Sequence, residues 1–264
     1  MPDSARPSVF VHLLPPLIPP GSLRGGIAVV LDVLRATTTM VHALASGCLA
    51  VVPCGEIDEA LRVASTLPAG SALLAGERMG EPIQGFDLGN SPSDFTPEAC
   101  RGKTLVMTTT NGTRAILACL EAERILVGAF ANLRATVLEL TGAARPVHVV
   151  CAGTDGRISV EDTLLAGRIA SGLRERGMIP GNDEAWIASG YDASCLPSNG
   201  EDAFEARVTV ISTGRGGRRL TELGLLADIR DSAAMDRFDL VVELRRDPLR
   251  IVASGPDLMG RGRS

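Results

Sequence analysis

The chain has 264 residues, 45% of them hydrophobic and 22% charged, enough to bury a full core as one large domain or two small ones. A net charge of −5 and an isoelectric point of about 5.3 argue against nucleic acid or an anionic membrane surface as partner, and aromatics at 3% leave little surface for stacking bases. Six cysteines without a C-x-x-C pair or a nearby histidine argue against zinc and for a reduced, cytoplasmic protein, and no stretch reaches the roughly 18 apolar residues of a membrane helix.

Residues 9–14 read as a first strand, expected at a sheet edge because prolines follow at once. Pro15 and Pro16 also break the apolar segment that a signal peptide would need. After a stiff connector, 27–31 is an unbroken apolar run, the mark of a strand covered on both faces in a parallel α/β sheet. The run stops at Asp32, with Arg35 and the hydroxyls of Thr37, Thr38 and Thr39 behind it. Met40, Val41 and Leu44 then fall at helical spacing, and Gly47 stops the helix. An acid, a fixed cation and a hydroxyl cluster thus lie where a strand gives way to a helix. That is the ligand-binding rim of open α/β sheets, and a helix N-terminus there suits phosphate.

A short strand at 49–52 and a helix at 57–67, with Leu61 and Ala64 inward, come next. Residues 73–75 form a buried strand that ends at Gly76, Glu77 and Arg78. The aperiodic Gly- and Pro-rich stretch 79–94, carrying Asp87 and Asn90, reads as a functional loop. The strand at 103–107 runs into Thr108, Thr109, Thr110, Asn111, Gly112, Thr113 and Arg114 before another helix. This repeats the first turn and suggests the second half of one anion site. A strand at 125–129 precedes a helix opening near Asn132. Another strand, 147–152, leads through Gly153, Asp155 and Gly156 to Glu161 and Asp162 at the head of the helix 163–176. His148 is expected in the core.

The segment 177–202 reads as loops around a short helix near Trp186, with Trp186 and Tyr191 as packing residues; 204–210 is helical or extended. The Gly/Arg-rich run 214–219 reads as exposed charge, while 239–244 and 249–253 pair around an Asp247-Pro248 turn and the residues through Ser264 fray. No linker clearly divides the chain, so residues 1–264 are expected to be a single α/β domain, with a possible subdivision near 177–205.

The acids Asp32, Glu77, Asp87, Asp155, Glu161 and Asp162 all fall at or just beyond strand ends. Oxygen-only ligands suit Mg²⁺, which binds through a few carboxylates plus a substrate phosphate. There is no P-loop, no dinucleotide fingerprint and no G-x-S-x-G elbow. The segments 30–39, 76–78, 85–92, 109–115, 151–153 and 161–162, in this order and spacing, resemble the 2-phosphosulfolactate phosphatase (ComB-like) family.

The resemblance implies a three-layer α/β/α fold with a mixed, largely parallel sheet. It implies a Mg²⁺-dependent phosphoric monoester hydrolase that converts 2-phosphosulfolactate to 3-sulfolactate and phosphate, in the pathway of coenzyme M biosynthesis. Asp32, Arg35 and Arg114 are expected to be catalytic, and Thr38, Thr39, Arg78, Asn111 and Thr113 to hold the small anionic substrate. Asp32, Glu77, Glu161 and Asp162 are expected to bind metal. Asp32 could instead attack phosphorus directly; such aspartyl phosphatases carry a second Asp two residues on, and Leu34 there favours metal-activated water. The competing readings are a non-catalytic anion-binding or regulatory protein and a phosphotransferase or mutase on the same scaffold. A homodimer is the default oligomer.

Overall fold

The computed structural model describes residues 7–195 and 201–254. In chain order they form β1 (Ser8–His12), β2 (Ile27–Leu31), α1 (Ala36–Ala45), β3 (Ala50–Pro53), α2 (Ile57–Thr66), β4 (Ala72–Arg78), β5 (Glu81–Pro82), α3 (Pro97–Cys100), β6 (Thr104–Thr108), α4 (Gly112–Ala118) and β7 (Arg124–Gly128). There follow α5 (Leu133–Leu140), β8 (Val147–Cys151), α6 (Val160–Arg174), β9 (Ile179–Pro180), α7 (Asp183–Cys195), α8 (Glu201–Thr213), α9 (Arg215–Glu222), α10 (Leu226–Ala233), β10 (Val241–Arg246) and β11 (Leu249–Ser254).

The strands join in the order β5-β4-β6-β3-β11-β10-β7-β2-β8-β1-β9. Two parallel groups, β4-β6-β3 and β7-β2-β8-β1-β9, are joined by the antiparallel β10–β11 hairpin, which pairs with β7 on one side and β3 on the other. The architecture is α/β/α in three layers with a mixed, mostly parallel sheet. β2 explains the layering: Ile27, Val29 and Leu31 pack with α5, α6 and α7 on one face, and Ala28 and Val30 with α1 and α4 on the other. All five residues are buried, as a strand covered on both faces requires.

Three antiparallel junctions separate β3 from β7, so the two parallel groups run in opposite senses. The usual twist of about 20–25° per strand step turns the frame by about 100–125° over the five steps from β6 to β2. Their C-terminal ends meet as a result: a Cβ added to Gly112, just after β6, would lie 2.6 Å from Asp32 Oδ2, just after β2.

Several expectations are corrected. β1 is not an edge strand, because β9 pairs outside it. Leu61 is exposed, and Ala60 is the buried residue of α2, one position back on the helical face. Trp186 is 54% exposed, with the Arg174 guanidinium 4.4 Å over its ring. The segment around it is a regular helix, α7, and 204–210 lies inside helix α8. The run 214–219 enters α9, where Gly216 and Gly217 are buried. The fraying through Ser264 concerns residues 255–264, and the subdivision near 177–205 includes residues 196–200; both fall outside the described residues. Among the described residues no helix is long and apolar enough to cross a membrane.

Candidate active site

The turn after β2 is built around Asp32. Thr37 Oγ1 accepts from the Asp32 amide at 2.9 Å and donates to the Asp32 carbonyl at 3.0 Å, so the first turn of α1 clamps the loop ahead of it. Asp162, at the head of α6, clamps from the other side, its carboxylate accepting from Val33 N at 2.8 Å and Gly153 N at 2.9 Å. The turns after β2 and β8 are thereby locked together. The Asp32 carboxyl itself is left to face a cleft.

That cleft has a cavity volume of about 40 Å³ and is lined by Asp32, Leu34, Arg35, Glu77, Gly80, Asn90, Thr110, Asn111, Thr154, Gly216, Arg219 and Leu220. Glu77 ends β4 and binds the turn after β6, accepting from Thr110 N at 2.8 Å and from Gly80 N at 2.7 Å. Arg35 is buried and forms an ion pair with Asp228 of α10 at 2.5 Å. It also donates to the Gly80 carbonyl at 2.9 Å and to Ser91 Oγ at 3.3 Å. Arg219 of α9 forks onto Asp155 with bonds of 2.6 and 3.2 Å.

The electrostatics favour an added positive charge. Burial, and then the charges of Asp162, Glu77 and Glu161, push the Asp32 carboxyl well above the usual carboxylate range. Burial and Asp162 raise Glu161 to about 8, and burial raises Asp162 to about 6 against the pull of the amides bonded to it. Glu161 lies directly beneath Gly216: a Cβ there would sit 2.5 Å from Glu161 Oε1. Glu161 Oε2 and Asn90 Oδ1 are buried oxygens without a hydrogen-bond partner, an arrangement that normally demands explanation. A hard cation would relieve the carboxylate repulsion. Among the described residues no three His, Cys, Asp or Glu side chains form a ready metal cage. Mg²⁺ does not need one, since it keeps waters and binds through one or two carboxylates and a substrate phosphate. The donor set therefore fits Mg²⁺, with Asp32 and Glu77 in the cleft wall and Glu161 below it.

Of the residues expected from sequence, Asp32, Arg35, Glu77 and Asn111 come together in the cleft, and Glu161 and Asp162 underlie it. The hydroxyls of Thr38, Thr39 and Thr113 do not reach it. They donate to the carbonyls of Val33, Asn90 and Thr109, fixing loops instead of ligand. Arg78 turns aside to the Glu77 carbonyl and Thr108 Oγ1. Arg114 lies outside the cleft, because α4 buries Gly112, Thr113, Ala115 and Ile116 and leaves it on the solvent side, 3.2 Å from Glu56. Asp87 caps the Leu74 amide on an exposed loop. Arg219, Thr154 and Asp228 were not expected. Arg219 carried a signal in its Arg/Gly run, whereas Asp228 carried none, since an acid in an amphipathic helix looks like a solvated face.

Fold and site together define a three-layer α/β/α protein with an oxygen-donor, arginine-flanked cleft at strand C-termini, where open α/β sheets bind their ligands. The profile of the 2-phosphosulpholactate phosphatase family matches residues 12–247, and the chain belongs to that family. It is 36% identical over 222 residues to a probable 2-phosphosulfolactate phosphatase of Caldanaerobacter subterraneus subsp. tengcongensis, covering 84% of this chain and 89% of the relative. Proteins of the same description from a Synechococcus species (40% over 228 residues; 84% and 90% covered) and a Cyanothece species (34% over 251 residues; 93% and 99%) are also similar.

Proposed function

We propose that this protein is a Mg²⁺-dependent phosphatase of the cytoplasm that hydrolyses 2-phosphosulfolactate to 3-sulfolactate and inorganic phosphate, a step of coenzyme M biosynthesis. The observation that carries the reading is the convergence of Asp32 and Glu77 with Arg35 and Arg219 on one cleft without an aromatic lining residue. Carboxylates suit a cation, arginines suit anionic groups, and nothing there stacks a nucleobase. The relatives' descriptions point to the same substrate.

When bound, Mg²⁺ would neutralise charge on the phosphoryl group and lower the pKa of an attacking water. Asp32, Glu77 and Glu161 would hold it. Arg35 stands as a fixed positive charge for phosphoryl oxygens, its guanidinium kept in one orientation by Asp228, Ser91 and Gly80. Asn111 and Asn90, both lining the cleft, would orient the substrate or its water. Asp162 does not line the cleft and ties the turns after β2 and β8 together through Val33 N and Gly153 N, so its role is to position the Asp32 turn.

The test is phosphate release from 2-phosphosulfolactate with and without Mg²⁺, for wild type and Asp32→Asn. We expect Mg²⁺-dependent turnover that the substitution abolishes while the melting profile survives. Folded wild type that turns over no 2-phosphosulfolactate with Mg²⁺ present would reject the reading and favour an anion-binding module, and an Asp32→Asn variant as fast as wild type would reject the site.

A further inference from the structure

We infer that Arg219 is the residue by which this cleft recognises a non-reacting acid group, carboxylate or sulfonate, of its phosphate monoester substrate. The inference rests on the phosphatase reading above and goes beyond it by dividing the cleft into two subsites.

The division follows from how the two cleft arginines are held. Arg35 is the deep one: its side chain is 4% exposed, and it donates to Asp228, Ser91 and the Gly80 carbonyl. Arg219 is the shallow one, with its side chain 29% exposed. A guanidinium carries five N–H donors. Among the described residues Arg219 donates only through its two Nη atoms to Asp155, which leaves three N–H directions for a ligand. The fork onto Asp155 fixes the guanidinium plane, and a fixed plane is what bidentate recognition of a carboxylate or sulfonate requires.

Arg219 also spans the mouth. Its helix α9 contributes Gly216 and Leu220 to the same wall. Its Cδ would lie 3.4 Å from a Cβ at Gly80, in the turn between β4 and β5, and its partner Asp155 sits in the turn between β8 and α6. Asp32 and Glu77, with the deep Arg35, are the groups that suit cation and phosphate. The remaining cation at the rim then faces whatever the phosphate ester carries on its adjoining carbons. Asp155 is a positioning residue in this scheme, since it acts only by holding Arg219.

The experiment compares wild type, Arg219→Ala and Arg219→Lys in two assays. In the first, binding of 3-sulfolactate, which lacks the phosphate, is measured by calorimetry in the presence of Mg²⁺. Loss of the charged fork should weaken binding by roughly 10- to 100-fold in Arg219→Ala, with Arg219→Lys intermediate because it keeps charge but not the fork. In the second, kcat and KM are measured for 2-phosphosulfolactate and for a simple phosphate monoester without a second acid. The KM penalty of Arg219→Ala should be at least about tenfold larger for 2-phosphosulfolactate than for the simple ester. Asp155→Asn should reproduce a smaller KM effect with kcat less affected. Equal penalties on both esters, or 3-sulfolactate binding unchanged in Arg219→Ala or undetectable in wild type, would overturn the inference. Failure of the phosphatase reading is separately visible as absent phosphate release from wild type, while the calorimetric arm still decides on Arg219.

Discussion

The Arg35–Asp228 pair gives the sharpest stability test. Both side chains are nearly inaccessible, at 4% and 3%, and the contact is 2.5 Å. Asp228 Oδ2 also accepts from Ser91 Oγ at 2.9 Å. The isosteric change Asp228→Asn leaves no cavity and removes only the charge that compensates Arg35. Breaking one partner of a buried pair costs about 3–5 kcal/mol, a large part of the roughly 5–15 kcal/mol that holds a typical domain. At about 2–4 °C per kcal/mol for a chain near this size, the melting temperature should fall by about 6–20 °C. Urea unfolding should give a lower midpoint with an unchanged slope. The pair Arg35→Met with Asp228→Leu removes both charges, so it should recover most of the stability while remaining inactive, since Arg35 is gone. A loss below about 1 kcal/mol in Asp228→Asn, or a double variant as unstable as the two singles summed, would refute the reasoning.

Two further outcomes follow from the site. Glu161 is raised to about 8 against an ordinary 4.5, Asp162 to about 6, and Asp32 upward as well. The folded state therefore holds these protons more tightly than the unfolded state, and metal-free stability should fall as pH rises from about 4.5 through about 8. In chelator, urea midpoints at about pH 8–9 should lie below those at about pH 5, with Glu161→Gln flattening the trend and Mg²⁺ stabilising most at the alkaline end; a metal-free midpoint that rises across this range contradicts the charge placement. Arg114→Ala should leave kcat and KM within about twofold and stability within about 0.5 kcal/mol, because its pair with Glu56 is exposed on both sides; a tenfold kinetic loss would return Arg114 to the site.

The sequence made some of this visible for a plain reason: β2 and α1 announce themselves by hydrophobic period, and the turn between them is short. Asp32, Arg35 and Glu77 followed from their places at strand ends. Period alone does not reveal what a polar side chain bonds to. Thr38 and Thr113 looked like phosphate ligands but bond to carbonyls five and four residues back, an outcome set by backbone path and not by residue type. Arg114 and Thr113 are neighbours in sequence on opposite sides of α4. Asp228 and Arg219 belong to the site only because α9 and α10 fold back over the rim, a long-range event that no local pattern encodes. The β10–β11 hairpin was legible as a hairpin, but its insertion at the centre of the sheet was not, since pairing partners are absent from the alternation of its own residues.

That insertion has a consequence for how the molecule is made. Until residues 241–254 leave the ribosome, β3 and β7 each present an open row of backbone donors and acceptors, and the two halves of the sheet have nothing between them. The nascent protein must therefore carry two adhesive margins from the completion of β7 until this hairpin emerges. Asp32 and Asn111 come from opposite halves, so the cleft they line closes only when this last hairpin zips the halves into register.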